Sequence, residues 1–107
     1  MKVARIEIDN GISLSVSDGQ LPLTIGRDRE CDIRISEASI SRQHCELYLG
    51  TGQMLRLKDF SANGTQIDRR TLHRDSIGIT KRTEVFLSDH HAITVTPTDD
   101  NGITLVP

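Results

Sequence analysis

A chain of 107 residues can enclose one hydrophobic core and is short for two. Hydrophobic residues make up 36% of it and aromatics only 3%, so the core must come from Ile, Leu and Val, which suits pleated sheet better than helix. The net charge of −2, from 13 basic and 15 acidic residues, gives no global field that would draw in nucleic acid or anionic membrane, so any anion site has to be local.

No stretch reaches the length of a membrane span. The start, Met1-Lys2-Val3-Ala4-Arg5-Ile6-Glu7, lacks the apolar run of a signal peptide. Cys31 and Cys45 are too few for a disulfide scaffold and read as small buried thiols in a reducing compartment, although a bridge between them stays open. A cytoplasmic location is the expectation.

Period-two alternation runs along most of the chain. Ile12, Leu14 and Val16 alternate with Ser13, Ser15 and Ser17. Asp9-Asn10-Gly11 precedes them and is a strong hairpin signal. Leu21, Leu23 and Ile25 follow, then Ile33 and Ile35 around Arg34. Cys45, Leu47 and Leu49 alternate with Glu46 and Tyr48, and Gly50-Thr51-Gly52 marks a looser turn. Leu55 and Leu57 flank Arg56; Ile93 and Val95 flank Thr94. The tail Asp99-Asp100-Asn101-Gly102-Ile103 reads as a turn feeding a last short strand. No window keeps apolar residues at helical spacing for three turns. The pattern predicts an all-β sandwich of many short strands. With no linker, repeat or low-complexity segment, one domain is expected to fill residues 1–107.

Two polar stretches interrupt the alternation: Ser36 to His44, and Asp59 to Thr65. Loops on a rigid β scaffold are where function tends to sit. Three short elements, one at a strand end and two in these stretches, are the parts of a phosphate site. Ile25-Gly26-Arg27 ends a strand with a glycine, which lets a backbone approach closely, and an arginine, whose fork of donors matches two phosphate oxygens. Ser41-Arg42-Gln43-His44 offers a rotatable hydroxyl. Asn63-Gly64-Thr65 offers an amide that can grip a peptide backbone, beside a glycine suited to a tight turn. As an Asn-x-Thr sequence it also fits a glycosylation acceptor, which is set aside for want of a secretion signal.

Each element alone is common; together, in this order, they resemble one family. Ile25-Gly26-Arg27-Asp28-Arg29-Glu30-Cys31-Asp32-Ile33 is similar to the Gly-Arg … Cys-Asp-Ile segment of forkhead-associated (FHA) domains. Ser39-Ile40-Ser41-Arg42-Gln43-His44 resembles their Ser-x-x-His segment. Asp59-Phe60-Ser61-Ala62-Asn63-Gly64-Thr65 resembles their Asp-x-Ser-x-Asn-Gly-Thr loop. The resemblance implies an FHA-like β-sandwich of about eleven short strands, with binding loops at one end that take an extended phosphothreonine peptide. It implies Arg27 and Ser41 on the phosphate, with Arg42 as a further phosphate or peptide contact. It places Asn63 on the peptide main chain and makes Gly26, His44, Gly64 and Thr65 structural supports of the site.

The partner implied is a phosphothreonine-containing protein, a Ser/Thr kinase substrate, bound by a monomer. No cofactor, metal, nucleic acid or membrane is expected. Two departures stand out. Ala62 occupies a position where many members have a hydroxyl-bearing Thr. Arg82-Thr83-Glu84 precedes Val85-Phe86-Leu87 where the family often has a Gly-Asp turn.

Alternatives are weighed on the same residues. Ala62 keeps open a phosphate-independent interaction domain that retains the fold and uses a sheet face or edge. Ser41 lies three residues from His44, but no nucleophile–base–orienter grouping is evident, so no enzyme is expected. His73 with His90 and His91 matches no zinc spacing. Arg29 and Arg34 read as solvated.

Overall fold

The computed structural model describes residues 1–8 and 11–104. Eleven strands form two sheets. Six belong to the first: β1 (Lys2–Ile8), β2 (Ser13–Ser17), β7 (Thr65–Ile67), β8 (Arg70–Leu72), β10 (Thr83–Ser88) and β11 (His91–Pro97). Their order is β2-β1-β11-β10-β7-β8. The second holds β3 (Leu23–Gly26), β4 (Ile33–Arg34), β5 (Cys45–Leu49), β6 (Leu55–Asp59) and β9 (Ser76–Gly78), in the order β4-β3-β5-β6-β9. The named pairs are antiparallel except β3 with β4, where Ile25 lies beside Ile33. Short 3-10 turns at Asp18–Gln20 and Thr51–Gln53 join strands, the second at the turn expected over Gly50-Thr51-Gly52.

The alternation is cashed out as inward and outward faces. Ala4, Ile6, Val16, Val85, Ile93 and Val95 of the first sheet meet Leu23, Ile25, Leu47 and Leu57 of the second, all buried. Cys31 and Cys45 are free and buried. Burial pushes both thiols up from their ordinary value, that of Cys45 far up, so they stay protonated and inert.

β1 and β2 pair on either side of the hairpin predicted at Asp9-Asn10-Gly11; Asp9 and Asn10 lie outside the described residues. In the tail, Gly102 N–H donates to the Asp99 carbonyl at 2.9 Å and closes the expected turn. The strand beyond it is reduced, among the described residues, to one bridge between Thr98 and Thr104. Where a Gly-Asp turn would precede β10, the Thr83 hydroxyl instead donates to the Lys81 carbonyl at 2.8 Å.

Registers fix where the loops go. Cys45 lies opposite both Ile25 and Asp59, Thr65 opposite Leu72, and Ser88 opposite His91. The connections β3–β4, β4–β5, β6–β7, β8–β9 and β10–β11 therefore gather at one end of the sandwich.

Leu57 is fully enclosed between the sheets. Leu57→Ala is expected to lower the unfolding free energy by about 2–5 kcal/mol, read by urea unfolding with an unchanged m-value. A loss under about 1 kcal/mol would show that the sheets close over the gap.

Candidate functional site

At the end of β3 the chain runs against the segment leading into β5. Arg27 N–H donates to the Ser41 carbonyl and Asp28 N–H to the Arg42 carbonyl, each at 3.0 Å; His44 N–H donates to the Ile25 carbonyl at 2.9 Å. The two backbones are so close that a Cβ at Gly26 would overlap the Arg42 carbonyl, so only glycine fits there. Arg27 is half-buried. Its Nε donates to the Ile40 carbonyl at 2.9 Å, and neither Nη has a partner among the described residues. One edge of the guanidinium is thus fixed and the other is offered outward.

Ser41 joins this segment to the β6–β7 loop. Its Oγ accepts the Ala62 N–H at 3.0 Å, which leaves the hydroxyl hydrogen available to a third group. Ser41 N–H donates to Nδ1 of His44 at 3.1 Å. His44 is almost wholly buried and, because Nδ1 accepts, carries its proton on Nε2. That nitrogen faces the Gly64 carbonyl at a geometry looser than a full hydrogen bond. Burial holds the imidazole below its ordinary pKa, against the opposing pull of the Asp59 charge and the Gly64 carbonyl.

Beneath both loops lies a buried carboxylate. Oδ1 of Asp59 accepts the hydroxyls of Ser61 and Thr65, each at 2.6 Å; Oδ2 accepts the Arg74 N–H at 2.9 Å. The Ser61 hydroxyl in turn accepts the Gly64 N–H at 2.8 Å. Burial pushes the Asp59 carboxyl up, but these donors outweigh it and hold the group below the ordinary carboxylate range. Gly64 sits at φ +95, a conformation that disfavours side chains.

Asn63 projects into solvent from this scaffold and lines a cleft of about 420 Å³ with Ser39, Thr71, Phe86, Asp89 and His90. The cleft runs from Asn63 to the β10–β11 connection. Two further contacts border it. His91 lies 3.4 Å from Glu37, tying that connection to the β4–β5 loop, and His73 Nε2 lies 3.3 Å from the Ala62 carbonyl. Among the described residues no group of three or more His, Cys, Asp and Glu could hold a metal, and no helix is long and apolar enough to cross a membrane.

The profile of the FHA domain matches residues 23–87, more than half of the chain and all three motif segments. The chain belongs to the FHA domain family. Similar solved structures show the same fold. The FHA-1 domain of Mycobacterium tuberculosis Rv1747 is 22% identical over 90% of this chain and 96% of that one, with a TM-score of 0.76. The N-terminal FHA domain of S. cerevisiae Rad53p, solved with a phosphothreonine peptide, is 19% identical over 94% and 97%, with a TM-score of 0.80. The MEK1 FHA domain, solved with a phosphothreonine peptide of HOP1, is 25% identical over 90% and 97%, with a TM-score of 0.75. None of the curated proteins matches the chain significantly.

In this FHA domain the fold brings Arg27, Ser41 and the Asn63 loop together through backbone bonds, with Gly26, His44, Gly64 and Thr65 beneath them. Arg42 adjoins Ser41, but its side chain is exposed and held by no described partner. Arg29 and Arg34 are exposed; Nε of Arg34 caps the Arg27 carbonyl at 3.1 Å. Sequence reasoning missed Asp59, the center of the hydrogen-bond network, although it opens the Asp-x-Ser-x-Asn-Gly-Thr motif. It also missed the cleft wall from Phe86 to His90.

Asp59→Asn replaces an acceptor by an NH₂ group and is expected to cost about 2–4 kcal/mol at pH 7, since each hydrogen bond to a charged group contributes about 1.5–3 kcal/mol. The pH profile separates the two titrating supports. A lowered imidazole pKa gives His44 a stabilisation present above about pH 6.5 and lost below it as the unfolded chain takes up the proton. A lowered carboxyl pKa gives Asp59 one present above about pH 4 and lost as the pH falls further. Thermal melts from pH 7 to 3 should show both losses in the wild type and only the first in Asp59→Asn. Parallel curves for the two proteins would remove Asp59 from this role.

Proposed function

We propose that this domain binds a phosphothreonine-containing segment of a partner protein. Arg27 and Ser41 hold the phosphate, Arg42 swings in as a further contact, and Asn63 grips the peptide main chain beside the phosphothreonine. Gly26, His44, Gly64 and Thr65 keep the loops in place. One observation carries this reading. The Arg27 guanidinium is anchored through Nε while both Nη groups have no partner among the described residues, beside a serine whose hydroxyl hydrogen also has none there. Donors fixed in place but unsatisfied are what an anion needs, because their ordering cost is met before binding.

Family membership and the phosphothreonine peptides in the Rad53p and MEK1 structures support the reading. A ligand of this kind is written by a Ser/Thr kinase, which suits a role in kinase signalling or assembly. Two free, buried thiols suit a reducing compartment such as the cytoplasm. The cleft beyond Asn63 extends the surface. Its lining holds Asp89 and His90 but neither Lys nor Arg, so it favours a neutral or basic peptide side chain over an acidic one.

Ala62 favours one alternative, a phosphate-independent partner. Its N–H is given to Ser41 and its side chain donates nothing. Calorimetry with one peptide in phosphorylated and unphosphorylated forms decides between them. Binding of the phosphorylated form alone supports the proposal; equal affinities overturn it. Arg27→Ala should weaken phosphopeptide binding by about 2–5 kcal/mol at an unchanged melting temperature, and Arg27→Lys should restore it only in part because the fork is lost. Wild-type affinity in Arg27→Ala would remove Arg27 from the site.

Ala62→Thr places a hydroxyl beside Ser41. It is expected to tighten phosphopeptide binding about threefold to tenfold, a modest share of what a hydrogen bond to a charged group contributes. The same titration should show no change for the unphosphorylated peptide. A clear loss of affinity would mean that Ala62 packs against the ligand.

A further inference from the structure

The outer edge of the first sheet is a strand on whose far side no described strand pairs. β2 pairs with β1 alone. Ile8 N–H donates to the Ile12 carbonyl, and the register continues through Ile6 with Leu14 and Ala4 with Val16. Ile12, Leu14 and Val16 therefore turn their backbone groups toward β1, while Ser13, Ser15 and Ser17 turn theirs outward. Ser17 N–H is already taken by the Gln20 side chain at 2.7 Å. Ser13 and Ser15 have no described partner on that side.

Edge strands are normally guarded by charge, proline or a bulge at mid-strand. Ser13-Leu14-Ser15-Val16-Ser17 has no charge and no proline, and the register shift with β1 falls at its far end, between Lys2 and Ala4. Beside the free backbone groups stand two apolar side chains left in solvent, Ile12 at 49% and Leu14 at 38% exposure.

We propose that this edge pairs with the same edge of a second copy of the chain, antiparallel about a two-fold axis through Leu14. The strand is self-complementary in that register. Ser13 of one copy faces Ser15 of the other, so the outward N–H and C=O groups of each meet those of its opposite number. Leu14 meets Leu14 as a close, non-hydrogen-bonded pair, while Val16, in register with Ile12, stays buried in its own core. No like charges are brought together within the strand, and Ser17 with its Gln20 cap stays at the margin. Such a contact is isologous and closes on itself. Because β2 lies at the side of the sandwich and runs antiparallel to its mate, the loop ends of the two copies point in opposite directions and both stay open. The dimer departs from the monomer expected of the sequence.

Sedimentation equilibrium on the whole chain from about 10 μM to about 1 mM, a range suited to a small edge contact, tests the proposal. The apparent mass of the wild type should rise with concentration toward twice that of the monomer. Leu14→Lys puts two ammonium groups at the axis and should stay monomeric throughout. Ser15→Pro deletes an outward N–H that β1 does not use and should do the same, which keeps the test decisive should the lysine variant unfold. Circular dichroism reports the fold of each. A wild type that stays monomeric at the highest concentration overturns the proposal. So does dimerisation of both folded variants to the wild-type extent.

Discussion

The loop end of this domain depends on a carboxylate with no access to water. Asp59 closes β6 with its side chain pointing inward, and charge in such a place is tolerated only when donors surround it. The donors come from three places: the Ser61 hydroxyl from the β6–β7 loop, the Thr65 hydroxyl from the start of β7, and the Arg74 N–H from the β8–β9 connection. Ser61 passes the constraint on to Gly64 N–H. A loop of small polar residues, which would otherwise sample many turns, is thereby left with one. Asn63 stands at its tip with its neighbours fixed and its own amide without a partner among the described residues.

His44 performs the matching task on the facing loop, with opposite electrostatics. It must stay neutral, because Nδ1 has to accept the Ser41 N–H, and burial keeps it so. A buried anion and a buried neutral imidazole thus brace adjoining loops, and the Ser41 hydroxyl locks them through Ala62 N–H. The Arg27 guanidinium comes to the same junction on the Ile40 carbonyl. The donors that could meet a phosphate are in register before any ligand arrives. Arg42 and Asn63 are exposed, so ordering them is left to binding. Preorganised donors at the center with adaptable ones around it favour a compact anion with an extended chain attached.

Much of the fold was legible because a sandwich writes a period of two into any strand buried on one face. Leu23 to Ile25, Cys45 to Leu49, Leu55 to Leu57 and Ile93 to Val95 became strands β3, β5, β6 and β11 on that signal, with Leu21 left just outside β3. The three-residue strands β7, β8 and β9 are too short to show a period and owe their form to their partners, as Gln66 does to Thr71 and Gly78 to Arg56. The turn between β7 and β8 places Asp68 and Arg69 at positive φ with no glycine to announce it. At the site, Gly26, Arg27, Ser41, His44, Asn63, Gly64 and Thr65 could be picked out because together, in this order, they resemble the motifs of the FHA family. Asp59 was passed over, although it opens one of those motifs, because a carboxylate beside a polar loop reads as a solvated charge until its donors are known. Phe86 reaches the cleft by pairing with Gln66 across the sheet, and Asp89 and His90 follow it in the turn after β10, a relation that spacing along the chain does not carry.

The central claim is that Arg27, Ser41 and Asn63 form one anion-and-peptide site on loops braced by Asp59 and His44. Amide chemical-shift mapping during titration with a phosphothreonine peptide, followed by the phosphorus resonance of the same sample, tests it most directly. The account expects the largest shifts at Arg27, Ser41, Arg42, Asn63 and Gly64, together with a phosphate whose second pKa falls below its free value of about 6 as the arginines favour the dianion. The unphosphorylated peptide should move none of these amides. Shifts centred on the outward faces of β5 and β6, or an unperturbed phosphate pKa in the saturated complex, would contradict it.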